Sequence, residues 1–151
     1  MLRPTIPATV LINEEIEDVP LILADPSQIQ QVVVNLVTNA VQAIGGRMGT
    51  ITVGLSTTTR SRSSTGNFTR LRIVDTGCGI DAETKNRIFE PFFTTKAVGE
   101  GTGLGLSVVH GIVTNHGGLI EVGSQPGTGT EFTIRFPVLG PVAALVEPVA
   151  A

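Results

Sequence analysis

The feature of this chain that most limits its fold is where its glycines fall. Of 18 glycines in 151 residues, 12 lie between Gly77 and Gly129. Glycine is costly inside regular elements and is favoured where the backbone turns tightly or must be approached closely. The second half of the chain therefore reads as short elements hung on turns, with the main chain doing the distinctive work. The first half is punctuated differently. Asp25 is a good helix N-cap, Pro26 suits the first helical position, Gln28 completes capping-box spacing, and Gly45-Gly46 supplies the stop. Between them Ile29, Val32, Val33, Leu36, Ala40, Ala43 and Ile44 recur at helical spacing, which outweighs the β-branched residues among them.

The remaining elements follow from period and punctuation. Residues 1–24 read as extended structure, a strand or a hairpin turning near Glu17-Asp18. TITVGLS is a strand with Ile51, Val53 and Leu55 on one face; STTTRSRSSTGN (56–67) has no aliphatic residue and reads as a mobile hairpin loop. FTRLRIVD returns as a strand, a short helix runs from about Asp81 to Ile88, and PFFTTKAVGEGTG is irregular. LGLSVVHGIVTNHGG is a helix stopped at Gly117-Gly118, and GLIEVGS with GTEFTIRFP forms a closing hairpin. The order β, α, ββ, short helix, loop, α, ββ is joined mostly by hairpins. It predicts an α+β two-layer sandwich: a mixed, mostly antiparallel sheet covered by helices on one face. One domain is expected over 1–137, followed by a Pro/Ala/Val-rich tail or linker over 138–151.

Composition excludes several functions. A hydrophobic share of 41% with 15% charged residues is not that of a chain disordered throughout. The net charge of −3 supplies no field for nucleic acid or anionic lipid, and aromatics, all Phe at 4%, make no base-stacking platform. One cysteine makes neither an internal disulfide nor a multi-cysteine zinc site, and a reducing compartment is the default. The sequence has no run of 18 apolar residues and no basic-then-apolar leader. It also has no P-loop. The stretch from Gly77 to Ala82 matches a dinucleotide fingerprint, but no second βα unit follows with its acidic residue.

Four places carry candidate chemistry, each with an ordinary reading beside it. Asn35 and Asn39 are i,i+4 and share a helix face, continued by Gln42; this is a solvated polar edge, or a set of amide oxygens suited to a Mg²⁺ that draws its other ligands from phosphates and water. Asp75 is in phase with Leu71 and Ile73 at a strand end. It is an Asx-turn acid, or a buried acceptor for a ligand's amino group, with Gly77 and Gly79 letting that ligand come close. Gly99, Gly101, Gly103 and Gly105 precede a helix, which suits either a loose connection or a lid that orders around phosphate, with Lys96 as a nearby point charge. Thr130 starts the inward row of Phe132, Ile134 and Phe136, which is ordinary in a strand.

Taken together, these pieces resemble the ATP-binding catalytic domain of two-component sensor histidine kinases, in the superfamily with gyrase, heat-shock ATPase and mismatch-repair domains. The resemblance covers roughly residues 5–137. DPSQIQQVVVNLVTNAVQAI resembles the N box, VDTGCGI the first glycine box, IFEPFFTTK the phenylalanine box, GEGTGLGLSVVHGIVTNHGG the second glycine box, and GTGTEFTIRFP the closing strand. Five motifs in the family's order are highly specific, and NAVQAI with EPFFTTK is closest to nitrogen-regulator kinases. The resemblance implies a Bergerat-type ATP-binding fold with ATP and Mg²⁺ as cofactors. It implies Asn39 as metal ligand, Asn35 near the phosphates, Asp75 receiving the adenine amino group, and Gly77 and Gly79 shaping the adenine pocket. Phe89 and Phe92 would anchor a lid, Lys96, Gly101, Gly103, Leu104 and Gly105 would line the phosphates, and Thr130 would hold adenine through water.

Two departures bear on activity. Hydrolytic relatives carry a water-activating Glu where this helix has Asn35, and an amide is no general base. Neither His110 nor His116 stands in a segment like the family's phosphoacceptor. The resemblance thus implies one part of a larger kinase, itself a monomer, acting with a histidine-bearing dimerisation domain and a response regulator in the cytoplasm, from a parent that can be membrane-anchored. A serine kinase of the anti-sigma-factor type and a non-catalytic nucleotide-sensing module remain open beside it.

Overall fold

A computed structural model describes residues 6–59, 67–91, 93 and 105–138. The elements run β1 (Val10–Ile16), α1 (Pro26–Ile44), β2 (Gly49–Thr59), β3 (Asn67–Asp75), α2 (Ala82–Lys85), α3 (Gly105–Asn115), β4 (Leu119–Gln125) and β5 (Gly129–Pro137). The strands form one five-stranded sheet in the order β1-β2-β3-β5-β4. All neighbours are antiparallel except β1 and β2, which are parallel and are connected through α1. The helices cover one face, so the expected two-layer α+β sandwich is what forms.

α1 starts as its sequence predicts, by a shorter-range bond. The Asp25 Oδ1 accepts from the Ser27 amide at 2.9 Å and from the Ser27 hydroxyl at 2.8 Å, and these bonds hold the Asp25 carboxyl below its usual range. At the far end Gly45 closes the helix at φ 71°, and its amide bonds Val41 O. Val32, Leu36, Val37, Ala40 and Ile44 form the buried stripe of α1. It packs on α3 through Val109, Ile112 and Val113, and on the sheet through Ile51, Ile73 and Ile134. Leu36 is 1% exposed; truncation to Ala would cost about 2–5 kcal/mol. A second tie joins the helices at one end. His116 Nδ1 lies 2.8 Å from Ile112 O, which only accepts, so that nitrogen carries the proton and Nε2 accepts from the Asp25 amide at 3.1 Å.

The other face of the sheet is polar. Arg72 pairs with Glu131 at 2.7 Å, and Arg135 pairs with Glu121 at 2.7 Å. Such partly exposed pairs contribute at most about 1 kcal/mol each, but they leave this face without an apolar invitation to a second layer.

Of the strand or hairpin foreseen for 1–24, the described residues hold the strand: β1 ends at Ile16, and its partner is the distant β2. Two expectations change. The short helix foreseen from Asp81 to Ile88 is the four-residue α2, Ala82–Lys85. Ser56, Thr57, Thr58 and Thr59 belong to β2, paired with Arg70, Thr69, Phe68 and Asn67, so only 60–66 of the expected loop is left between the strands. Threonine is β-branched and pairs well across strands, which the absence of aliphatic residues concealed. The expectations for 60–66 and for the tail beyond 138 fall outside the described residues.

Candidate nucleotide site

The site is built where the last turn of α1, the end of β3 and the start of β5 meet. Asp75 closes β3 with its side chain on the helix-covered side and is 6% exposed. Burial pushes its carboxyl above the usual carboxylate range; backbone hydrogen bonds from Gly77 and Thr130 pull the other way. The Gly77 bond, from amide to Oδ1, is 2.7 Å. This is the Asx geometry expected of an acid before Thr-Gly, and it coexists with burial rather than replacing it. Thr130 is opposite Asp75 in the β3–β5 register and is itself 5% exposed.

The loop after Asp75 is fastened at each end. The Cys78 amide donates to Ala43 O in the last turn of α1 at 3.0 Å, using a carbonyl the helix leaves without a partner. The Arg47 guanidinium reaches the same oxygen at 3.4 Å. The Gly127 amide donates to Cys78 O at 2.7 Å. Both loop glycines are needed for packing. A Cβ at Gly77 would come within 2.6 Å of Ala43, and at Gly79, where φ is +77°, it would run into Gln125 O. At these two positions the space that a side chain would take is filled by α1 and by the start of the β4–β5 turn.

Asn35 and Asn39 are both half-buried on α1. The Asn35 Nδ2 donates to Gly105 O at 3.3 Å, which joins the N-box helix to the first turn of α3. Phe89 packs between His110, with ring centroids 5.3 Å apart, and Phe132 at 6.5 Å, anchoring the segment after α2 onto the sheet. Phe93 also packs against the core, under the Arg87 guanidinium at 4.5 Å. Of the foreseen residues, Asp75, Gly77, Gly79 and Thr130 come together, and Asn35 meets Gly105 between α1 and α3. Phe92, Lys96, Gly101, Gly103 and Leu104, and with them the lid, lie outside the described residues.

Ser124 was not foreseen. Its Oγ accepts from the Ile80 amide at 2.7 Å, and lies 2.9 Å from Gly129 O and 2.8 Å from Thr130 Oγ1. A signal existed: Ile120, Val122 and Ser124 alternate, so the hydroxyl continues an inward row.

Among the described residues no three His, Cys, Asp or Glu side chains gather into a metal site. Among the described residues, the Asn35 and Asn39 amides fit a magnesium ion that is carried by phosphates and takes one oxygen from the protein.

Residues 24–140 match the family model described as histidine kinase-, DNA gyrase B- and HSP90-like ATPase. The chain belongs to this ATPase family. Its relatives place it among the sensor-kinase members. It is 48% identical over 122 residues to the sensor histidine kinase ZraS of Escherichia coli K12, covering 81% of this chain and 24% of that protein. The chain therefore spans about a quarter of the length of the curated relatives it matches. The catalytic domain of histidine kinase ThkA is 33% identical with a TM-score of 0.69, covering 90% of this chain and 82% of that one. Full-length ShkA, crystallised in complex with AMPPNP, is 31% identical with a TM-score of 0.70, covering 85% of this chain and 25% of that one. The chain is thus a histidine-kinase-type ATPase domain, homologous to those catalytic domains.

Proposed function

We propose that this domain binds Mg-ATP and transfers its γ-phosphoryl group to a histidine on a separate dimerisation domain, for onward passage to a response regulator. The observation that carries the reading is the buried Asp75 carboxylate beside Thr130, at the end of a strand and under the last turn of α1. A buried acid there needs donors, and an exocyclic amino group supplies them. Asp75 and Thr130 would orient the base, and an Asn39 oxygen would hold the magnesium ion that neutralises the phosphates. Phosphoryl transfer asks mainly for such positioning and charge neutralisation.

The acceptor is proposed to lie elsewhere. Both ring nitrogens of His116 are committed, one to Ile112 O and one to the Asp25 amide. His110 stacks on Phe89. Hydrolysis is disfavoured because Asn35 is an amide whose Nδ2 is turned to Gly105 O. No helix among the described residues is long and apolar enough to cross a membrane, and a cytoplasmic, monomeric domain is proposed. Relatives named as histidine kinases favour this reading over a serine kinase or a sensing module.

The test is incubation of the purified chain with γ-labelled ATP, with and without a separately made histidine domain from the same kinase. Acid-labile label is expected on that domain only. Label on this chain alone, or brisk phosphate release, would sink the proposal.

A further inference from the structure

Ser124 touches Thr130 of the proposed base site and has a full set of hydrogen-bond partners. A serine hydroxyl has one proton to give and two lone pairs to receive with. Gly129 O, 2.9 Å away, can only accept, so the Ser124 proton belongs there. The Ile80 amide, at 2.7 Å, can only donate and takes one lone pair. The contact with Thr130 Oγ1 at 2.8 Å then has one consistent direction: Thr130 donates and Ser124 accepts. The reverse would leave two acceptor oxygens, Ser124 Oγ and Gly129 O, facing each other at 2.9 Å with no proton between them.

We propose that Ser124 is a positioning residue that fixes the direction of the Thr130 hydroxyl, so that the base pocket selects 6-amino over 6-oxo purine nucleotides. With its proton committed to Ser124, the Thr130 oxygen presents only lone pairs beside the Asp75 carboxylate, its cross-strand neighbour. Two acceptors side by side suit an amino group or a water that it holds. They repel the carbonyl oxygen that a 6-oxo purine carries at that position. Through the Ile80 amide the same Ser124 oxygen also holds the far end of the Gly77–Ile80 loop. This inference rests on the ATP-binding reading above and specifies how its base is chosen.

The experiment measures ATP and inosine triphosphate affinity by calorimetry on the intact chain and on Ser124→Ala and Ser124→Thr. Loss of the hydroxyl frees Thr130 to turn and donate, so Ser124→Ala should narrow the ATP preference roughly three- to tenfold, the scale of one exchanged hydrogen bond. Ser124→Thr, which keeps the hydroxyl, should retain it. Equal loss of both nucleotides in Ser124→Ala would show a merely structural role and overturn the inference. An intact chain that binds neither nucleotide would instead overturn the ATP-binding reading. Should Ser124→Ala fail to fold, NMR of the intact chain decides. The Thr130 hydroxyl proton should lie towards Ser124; a Ser124 proton directed at Thr130 Oγ1 overturns the inference.

Discussion

Asp75 and Thr130 face each other across the β3–β5 ladder, and the Thr130 backbone hydrogen-bonds the very carboxylate it faces. The acid is therefore held in place by the chain itself, and its remaining acceptor capacity suits the proposed base site to a donor. Asp75→Asn should weaken Mg-ATP binding about tenfold to a hundredfold, because a charge-assisted bond of roughly 1.5–3 kcal/mol is lost. Calorimetry that finds unchanged affinity in a folded variant would remove Asp75 from the site.

The same burial makes a prediction about pH in the absence of nucleotide. Asp75 has a folded-state pKa raised chiefly by burial, so the folded chain holds that proton more tightly than the unfolded chain does. Its contribution to stability is then fully present below the ordinary Asp pKa and is lost as pH rises through the raised value. Thermal melts of the intact chain and Asp75→Asn, run at matched pH from acid to neutral, should show the intact chain losing ground to the variant as pH rises. A difference that stays constant with pH would contradict the burial argument.

Asn39→Ala should abolish the magnesium dependence of ATP binding while sparing much of the affinity for the base. Titrations with and without Mg²⁺ provide the check. A variant that binds Mg-ATP normally and keeps its dependence on the metal would rule Asn39 out as the ligand.

Gly79→Ala tests the loop rather than the ligand. The backbone there has φ +77°, and the added Cβ would run into Gln125 O. The left-handed conformation alone costs about 1–2 kcal/mol in a non-glycine residue, so the melting temperature should fall by several degrees. An unaltered melt would mean that the loop does not pack against the β4–β5 turn.

Much of this architecture is legible in the residues because local signals agree. Asp25, Pro26 and Gly45 bound α1, and strict alternation from Leu71 to Asp75 puts the acid on the inward face. What escaped was non-local or lacked a local period. That β1 pairs with β2 in parallel, rather than turning back on itself, is decided by α1 packing between their ends in sequence, which no stretch of 1–24 records. Thr57, Thr58 and Thr59 form strand because β3 pairs with them, not because they carry apolar side chains. Ser124 was hidden for a different reason: a single serine in a strand is chemically silent until the Ile80 amide and Thr130 are brought to it. Gly77 and Gly79 were noticed for their backbone freedom, yet the neighbours that use it come from α1 and the β4–β5 turn.

β2 with β3, and β4 with β5, are each hairpins that close over short connections, whereas the β3–β5 pairing must bring together strands separated by α2, the second glycine box and α3. Asp75 belongs to one hairpin and Thr130 to the other, so the proposed base pocket would be a seam between two halves of the sheet, absent from either half alone. Closing so long a stretch of chain is entropically the late event. Competence to capture a fluorescent ATP analogue during refolding should consequently appear with the slowest structural phase and never ahead of it. Nucleotide then acts by mass action on the completed sheet alone, drawing the folding equilibrium toward the finished molecule without stabilising any half-assembled one.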